Sequence, residues 1–222
     1  MGDIAVAIPV RSFMSGKTRL MAVLTVAERQ LLIRNMLGTV VRAVLASGVA
    51  ESITIISSDD EVLEFADSFG PPTTGIRQPG TQPGLIAAAS FAHRHAIDTG
   101  ARRWLFLFGD LPVLLPDDVR RFAEESAPVV IATDWTGSGT NGLMLALDDP
   151  RTHEVVFAYG PGSRWLHEAE AQRLGIASTT VVIEGVAHDL DTVEDFSAIL
   201  ATGRVLPPEL STLPVLQQEK TA

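Results

Sequence analysis

Residues 104 to 110 read WLFLFGD, five consecutive apolar side chains closed by Gly109-Asp110. A strand with one wet face alternates polar and apolar residues; a short unbroken run fits a strand covered on both faces, as in the middle of a parallel sheet. Parallel neighbours require a crossover between them. The flanking sequence must therefore alternate between strand and helix, and it does. Upstream, Ala5-Val-Ala-Ile8 reads as a first strand. Thr25-Val-Ala-Glu28 is a capping box opening a helix that buries Leu31, Leu32, Met36, Val40, Val41 and Val44 and ends near Gly48. A strand over 52–58 follows, then a short helix capped by Asp59-Asp60 and closed at Gly70, and a strand over 73–78. The Pro/Gly loop QPGTQPG leads into an Ala-rich helix over 85–98.

Downstream, Pro116-Asp117-Asp118 opens a helix, strands are expected over 129–133 and 142–147, and a helix over 163–174. A strand over 179–183 and a last helix over 192–201 complete the series. Repeated β-α-β units define an α/β, doubly wound, mostly parallel sheet with helices on both faces. The expected organisation is one domain over 1–204 and a C-terminal tail over 205–222 carrying Pro207, Pro208 and Pro214. With 222 residues, 46% of them hydrophobic, one ordinary core can form.

Composition excludes several classes. No stretch reaches the roughly 20 apolar residues of a membrane span, and the N-terminus lacks the pattern of a secretory signal, so a cytoplasmic location is expected. The absence of cysteine leaves only oxygen or imidazole ligands for any metal. A net charge of −10 argues against nucleic acid or a membrane surface as partner.

Ligands of doubly wound sheets bind beyond the carboxyl ends of the strands, so the residues following each strand decide the chemistry. After the first strand come Arg11, Ser15, Gly16, Lys17 and Arg19. Gly16-Lys17-Thr18 imitates a phosphate-binding loop, but the glycine required five positions earlier is Arg11. Lys17 is nevertheless the only lysine before Lys220, and a compact ammonium suits phosphate. After the central strand comes Asp110, and after the last His188-Asp189-Leu190-Asp191. Cations and carboxylates on one rim suit a polyphosphate carrying Mg²⁺, which takes one or two carboxylates beside phosphate oxygens and water. The plainer alternatives are a Gly-Asp-Leu-Pro turn for Asp110 and a cap of the last helix for Asp191. Asp189 is accordingly the expected metal ligand, with Asp191 in support.

Two glycine-rich loops, 134–141 and 159–163, suggest a second anionic ligand, the latter opening a helix whose first turn can offer N–H groups. His93 and His95 read as surface or packing residues, His153 as a loop residue, and His167 as either acceptor-facing or packing. Trp104, Phe106 and Phe108 read as core.

Five motifs in one order, IPVR…GKTRL, GDLPVL, DWTGSGTNGLML, YGPGSRWLH and HDLDTVEDF, resemble the 2-phospholactate and phosphoenolpyruvate guanylyltransferases of coenzyme F420 biosynthesis, over about residues 4–201. The resemblance implies a nucleotide-diphospho-sugar transferase-like, Rossmann-like fold shared with the molybdenum-cofactor nucleotidyltransferases. It also implies transfer of GMP from GTP to a phosphorylated three-carbon acid with release of pyrophosphate. By motif, Lys17, Arg19 and Asp110 would be catalytic. Arg11, Ser15, Gly16, Gly84 and Gly109 would join Lys17 and Arg19 around the nucleotide. Thr140, Gly160 and Ser163 would hold the acceptor, and Asp110, Asp189 and Asp191 the Mg²⁺. A homodimer is implied as well. Two departures stand out: Arg11 replaces the usual Lys, and Leu85-Ile86 replaces a Leu-Asn pair on the nucleotide side. The competing readings are another metal-dependent nucleotidyltransferase, a sugar-nucleotide glycosyltransferase with Asp189-Leu-Asp191 as its Asp-x-Asp motif, and a non-catalytic nucleotide-binding relative.

Overall fold

The computed structural model describes residues 3–80 and 84–207. Residues 81–83 of the Pro/Gly loop and most of the expected tail, 208–222, lie outside the described residues. Seven strands form one sheet: β1 (Ile4–Pro9), β2 (Ala50–Ser57), β3 (Thr73–Arg77), β4 (Arg103–Leu107), β5 (Val129–Ala132), β6 (Gly142–Ala146) and β7 (Ser178–Val181). Their order is β3-β2-β1-β4-β6-β5-β7. All neighbours are parallel except β6, which runs antiparallel to both β4 and β5.

The connections are α1 (Val26–Ser47), α2 (Asp60–Asp67), α3 (Leu85–Asp98), α4 (Pro116–Glu124), α5 (Ser163–Arg173), α6 (Glu184–Ala187) and α7 (Val193–Ala201). Among the described residues no helix is long and apolar enough to cross a membrane.

The period-2 pleat sorts the central strands onto two cores. Ile4, Val6 and Ile8 of β1, with Leu105 and Leu107 of β4, join residues of α1, α2, α4, α6 and α7 on one face. Ala5 and Ala7, with Trp104 and Phe106, meet the alanines of α3 and Ala171 of α5 on the other. Ala5 pairs in register with Trp104 and Ala7 with Phe106, so small β1 side chains make room for large β4 rings. Helix α1 begins with the Thr25–Glu28 capping box and ends at Gly48 in the left-handed conformation. It buries Leu32, Met36, Leu37, Val40, Val41 and Val44, each contributing roughly 1.5–3 kcal/mol. Leu31, expected on that face, is instead half exposed at its edge.

This topology places the site. From β1 the chain winds outward through β2 and β3, then returns to β4 on the other side of β1. The crevice opens where the winding reverses, beyond the carboxyl ends of β1 and β4. Those ends carry Arg11 to Lys17 and Gly109-Asp110.

Candidate functional site

The loop after β1 folds inward. Gly16 packs so tightly that an added Cβ would lie 2.5 Å from Ile33 Cδ1. Lys17 follows at φ 54°, the only non-glycine residue with positive φ among those described. Left-handed backbone is costly for a lysine and persists where surrounding contacts over-determine it. Here the contacts are ionic. Lys17 Nζ donates to Asp110 Oδ2 at 2.5 Å and to Asp191 Oδ1 at 2.6 Å, with its side chain only 6% exposed. Burial alone would lower the Lys17 pKa, but the two carboxylates outweigh it and hold the ammonium well above its ordinary range.

Asp189 is the third aspartate of this rim. Burial, then the charge of Asp110, pushes its carboxyl up to about 7, opposed by a 2.9 Å hydrogen bond from Asn141 Nδ2. The segments are laced together, since the Leu190 N–H donates to the Asp110 carbonyl. Asp191 does not cap the last helix. Thr192 caps α7 in a box with Asp195, leaving the Asp191 side chain for Lys17.

A cleft of about 310 Å³ above these groups is lined by Pro9, Val10, Arg11, Ser12, Gly16, Lys17, Leu85, Phe108, Gly109, Asp110 and Asp191, among others. It adjoins, through Val10, Arg11 and Leu85, a second hollow of about 680 Å³ lined by Ser58, Gln78, Gly84 and Ala88. The pair forms an elongated groove, acidic and basic at one end and largely neutral at the other. Gly84 caps α3 at φ 126°, a backbone open to glycine and strained for other residues. Ile86 is 48% exposed and does not line the groove; Leu85 does. Ser15 and Arg19 are exposed and also lie outside the lining. Ser12, which sequence reasoning passed over, lines it and donates to Asp59 at 2.5 Å.

The glycine-rich loops do meet. Asp134 folds loop 134–141 on itself by accepting the N–H groups of Ser138 and Gly139. Arg164, on the first turn of α5, donates its side chain to the Gly137 carbonyl and its N–H to the Ser138 carbonyl. The Ser163 N–H donates to the Gly160 carbonyl. The N–H groups of Ser163 and Arg164 are thus spent on the loops themselves. Thr140 is buried at 2% exposure with its hydroxyl 3.1 Å from His167 Nδ1, and Ser163 is equally buried. Gly160, by contrast, stands at the surface. His167 is a packing residue, held neutral to about pH 4 by burial, against the ring of Tyr159.

Residues 4–205 match the family described as Guanylyl transferase CofC like. The chain belongs to that family. A phosphoenolpyruvate guanylyltransferase of Rubrobacter xylanophilus is 36% identical over 89% of this chain and 94% of its own length. One from Sphaerobacter thermophilus is 30% identical over 90% and 93%. Among solved structures, a candidate nucleotide-diphospho-sugar transferase of Desulfovibrio desulfuricans superposes with TM-score 0.75 at 16% identity, over 100% of this chain and 95% of that one. A nucleotidyl transferase from Methanothermobacter gives 0.62 at 16% identity, over 91% and 100%. At such identities the structures establish the shared fold, a nucleotidyltransferase-type α/β sheet.

For this CofC-like chain the fit of a metal can be judged from its own atoms. Among the described residues, no three carboxylate or imidazole side chains are gathered closely enough to hold an ion by themselves. What the rim does hold is three aspartates against Lys17 and Arg11. Asp110 Oδ1 is buried without a hydrogen-bond partner, and Asp189 is destabilised as an anion chiefly by burial and then by Asp110. An oxygen-only donor set with an orphaned oxygen and unbalanced negative charge fits a hard divalent cation that completes its shell with phosphate oxygens and water.

Proposed function

We propose that the protein transfers GMP from GTP to the phosphate of a phosphorylated three-carbon acid, phosphoenolpyruvate or 2-phospholactate, with 3-phosphoglycerate as a third candidate, and releases pyrophosphate in coenzyme F420 biosynthesis. The observation that carries this reading is Lys17, an ammonium held between Asp110 and Asp191 beside two adjoining hollows of about 310 and 680 Å³. Family membership supports guanylyl transfer, and the relatives described as phosphoenolpyruvate guanylyltransferases favour that acceptor.

In this mechanism a phosphate oxygen of the acceptor attacks the α-phosphorus of GTP, and the bond from that phosphorus to the bridging oxygen of pyrophosphate breaks. The attacking phosphate is ionised at neutral pH, so no general base is required. Positioning and charge neutralisation carry the rate. Arg11 and Lys17 face the triphosphate from the loop after β1, and Arg19 at the loop's outer edge meets the departing pyrophosphate. Gly16, Gly84 and Gly109 present backbone to the nucleotide, with Ser15 at the loop's tip. Asp110 and Asp189, supported by Asp191, would hold Mg²⁺, which when bound supplies positive charge to the phosphate oxygens. Thr140, Gly160 and Ser163 bind the acceptor's carboxylate or phosphate.

Pyrophosphate release, measured with Mg²⁺, each of the four ribonucleoside triphosphates and each of the three acids, tests this. Release with GTP and one acid alone is expected. Release with a different nucleotide would move the donor assignment to the neutral end of the groove, and no release from protein that binds nucleotide would favour a non-catalytic relative.

A further inference from the structure

The carboxylates of the rim come from segments far apart in sequence, and something must aim them at one another. Strand β6 supplies it. Because β6 runs antiparallel between β4 and β5, the residue just before its start lies at the carboxyl ends of both neighbours. That residue is Asn141. Its N–H donates to the Ala132 carbonyl at the end of β5, and its carbonyl accepts the Phe108 N–H just past β4. Its side chain is then directed into the site at 3% exposure. There Nδ2 lies 2.9 Å from Asp189 Oδ1, 3.0 Å from the Val186 carbonyl and 3.4 Å from the Ala187 carbonyl. All three neighbours are acceptors, so the amide nitrogen must face them, and no hydroxyl or carboxylate side chain could replace both of its donated protons.

We propose that Asn141 is the positioning residue of the metal side: its amide ties the segment 186–189 to the sheet and turns the Asp189 carboxylate toward Asp110. The inference rests on the metal role given to Asp189 above. It assigns Asn141 no contact with substrate. Neither backbone hydrogen bond uses the side chain, so both are available to any residue but proline and sheet register does not depend on the amide, whereas the direction of Asp189 does. Hydrogen-bond partners of metal ligands characteristically change metal affinity about 10- to 100-fold when removed.

The test is Mn²⁺ binding, followed by electron paramagnetic resonance of the free ion in the presence of GTP and without acceptor. Asn141→Leu, of similar volume, is expected to weaken Mn²⁺ binding about 10- to 100-fold, while GTP binding in EDTA stays at the wild-type level. If the residue acts through Asp189, Asn141→Leu combined with Asp189→Asn binds Mn²⁺ no more weakly than Asp189→Asn alone. Wild-type Mn²⁺ affinity in Asn141→Leu overturns the proposal, as does a full additive loss in the double variant. Should Asn141→Leu not fold, Asn141→Ala, which leaves space for water, is decided by the same criteria. Unchanged affinity in Asp189→Asn by itself overturns the metal assignment beneath the proposal, a result distinguishable because that variant leaves Asn141 intact.

Discussion

Replacing Arg204 with methionine tests what supports the carboxylates from behind. Arg204, just beyond α7, grips Asp118 on α4 with both terminal nitrogens, the Nη2–Oδ1 distance being 2.9 Å, and also donates to the Val113 carbonyl and to Glu184. The Asp118 side chain is 4% exposed and that of Arg204 17%. The Gly185 backbone is pressed so closely on Asp118 that a Cβ would overlap the carboxylate. The cluster thus binds together the segments following Asp110 and preceding Asp189.

Breaking a buried ion pair by removing one partner costs about 3–5 kcal/mol, and the partial exposure of Arg204 argues for the lower end, about 3 kcal/mol. The Glu184 arm, half exposed, adds only a few tenths. For a chain of this size, that corresponds to a fall in Tm of roughly 6–12 °C. Removing both charges is milder. Asp118→Leu/Arg204→Met leaves no buried unpaired ion and loses mainly the hydrogen bond from the Leu115 N–H, about 1 kcal/mol. Urea unfolding of both single variants and the double should therefore show a coupling of about 2 kcal/mol or more. A loss below about 1 kcal/mol in Arg204→Met, with additive singles, would refute the argument that the pair is buried and structural.

Other outcomes follow from the same contacts. Asp110→Asn is expected to nearly abolish metal-dependent turnover while circular dichroism remains that of the wild type; wild-type turnover would sink the metal assignment. Lys17→Met should lower kcat/KM for GTP by about 10²- to 10³-fold, the cost of one preorganised charge donor, measured by steady-state pyrophosphate release. His93 and His167 are each depressed from an ordinary 6.5 to about 4 by burial, so the unfolded chain binds more protons between those values. The contribution of these two histidines to stability is full above pH 6.5 and is lost as pH drops toward 4, by up to about 3 kcal/mol each, against an opposite contribution from Asp189, whose carboxyl is pushed up to about 7; stability in urea titrations at each pH should therefore fall less from pH 6.5 to 4 in His93→Leu than in the wild type. Gly142→Ala drives a methyl into the ring of Phe122 and should cost about 1–3 kcal/mol, read from the urea midpoint.

Local chemistry made much of the fold legible. The Thr25–Glu28 box, the apolar run of β4 and the Gly48 stop depend on neighbours within a few residues, and α1 and β4 lie within a residue of their expected limits. The direction of β6 was not legible, because GLMLAL is apolar on both faces and reads alike in parallel and antiparallel neighbours. Helix α6, only four residues long, has no periodicity to detect.

In the site, the residue types after each strand marked the rim, but not which side chains would meet. Lys17 and Asp191 are 174 positions apart, and only the closed sheet brings them within 2.6 Å. Asn141 sits among Gly, Ser and Thr, where an asparagine reads as a turn residue. Its role appears only once β6 is known to begin at the rim. Thr140 and Ser163 were marked by motif, whereas their burial is a property of the packed loops that no local pattern displays.

Following the label from GTP carrying ³²P at the α or, in a parallel reaction, the γ position, with Mg²⁺ and phosphoenolpyruvate, tests the central claim most directly. The account predicts that the α label moves into a product joined to the acid's phosphate, that γ label leaves only as pyrophosphate, and that Asp110→Asn does neither. Transfer of γ label to the acid, or hydrolysis of GTP that proceeds equally with and without an acceptor, would contradict it.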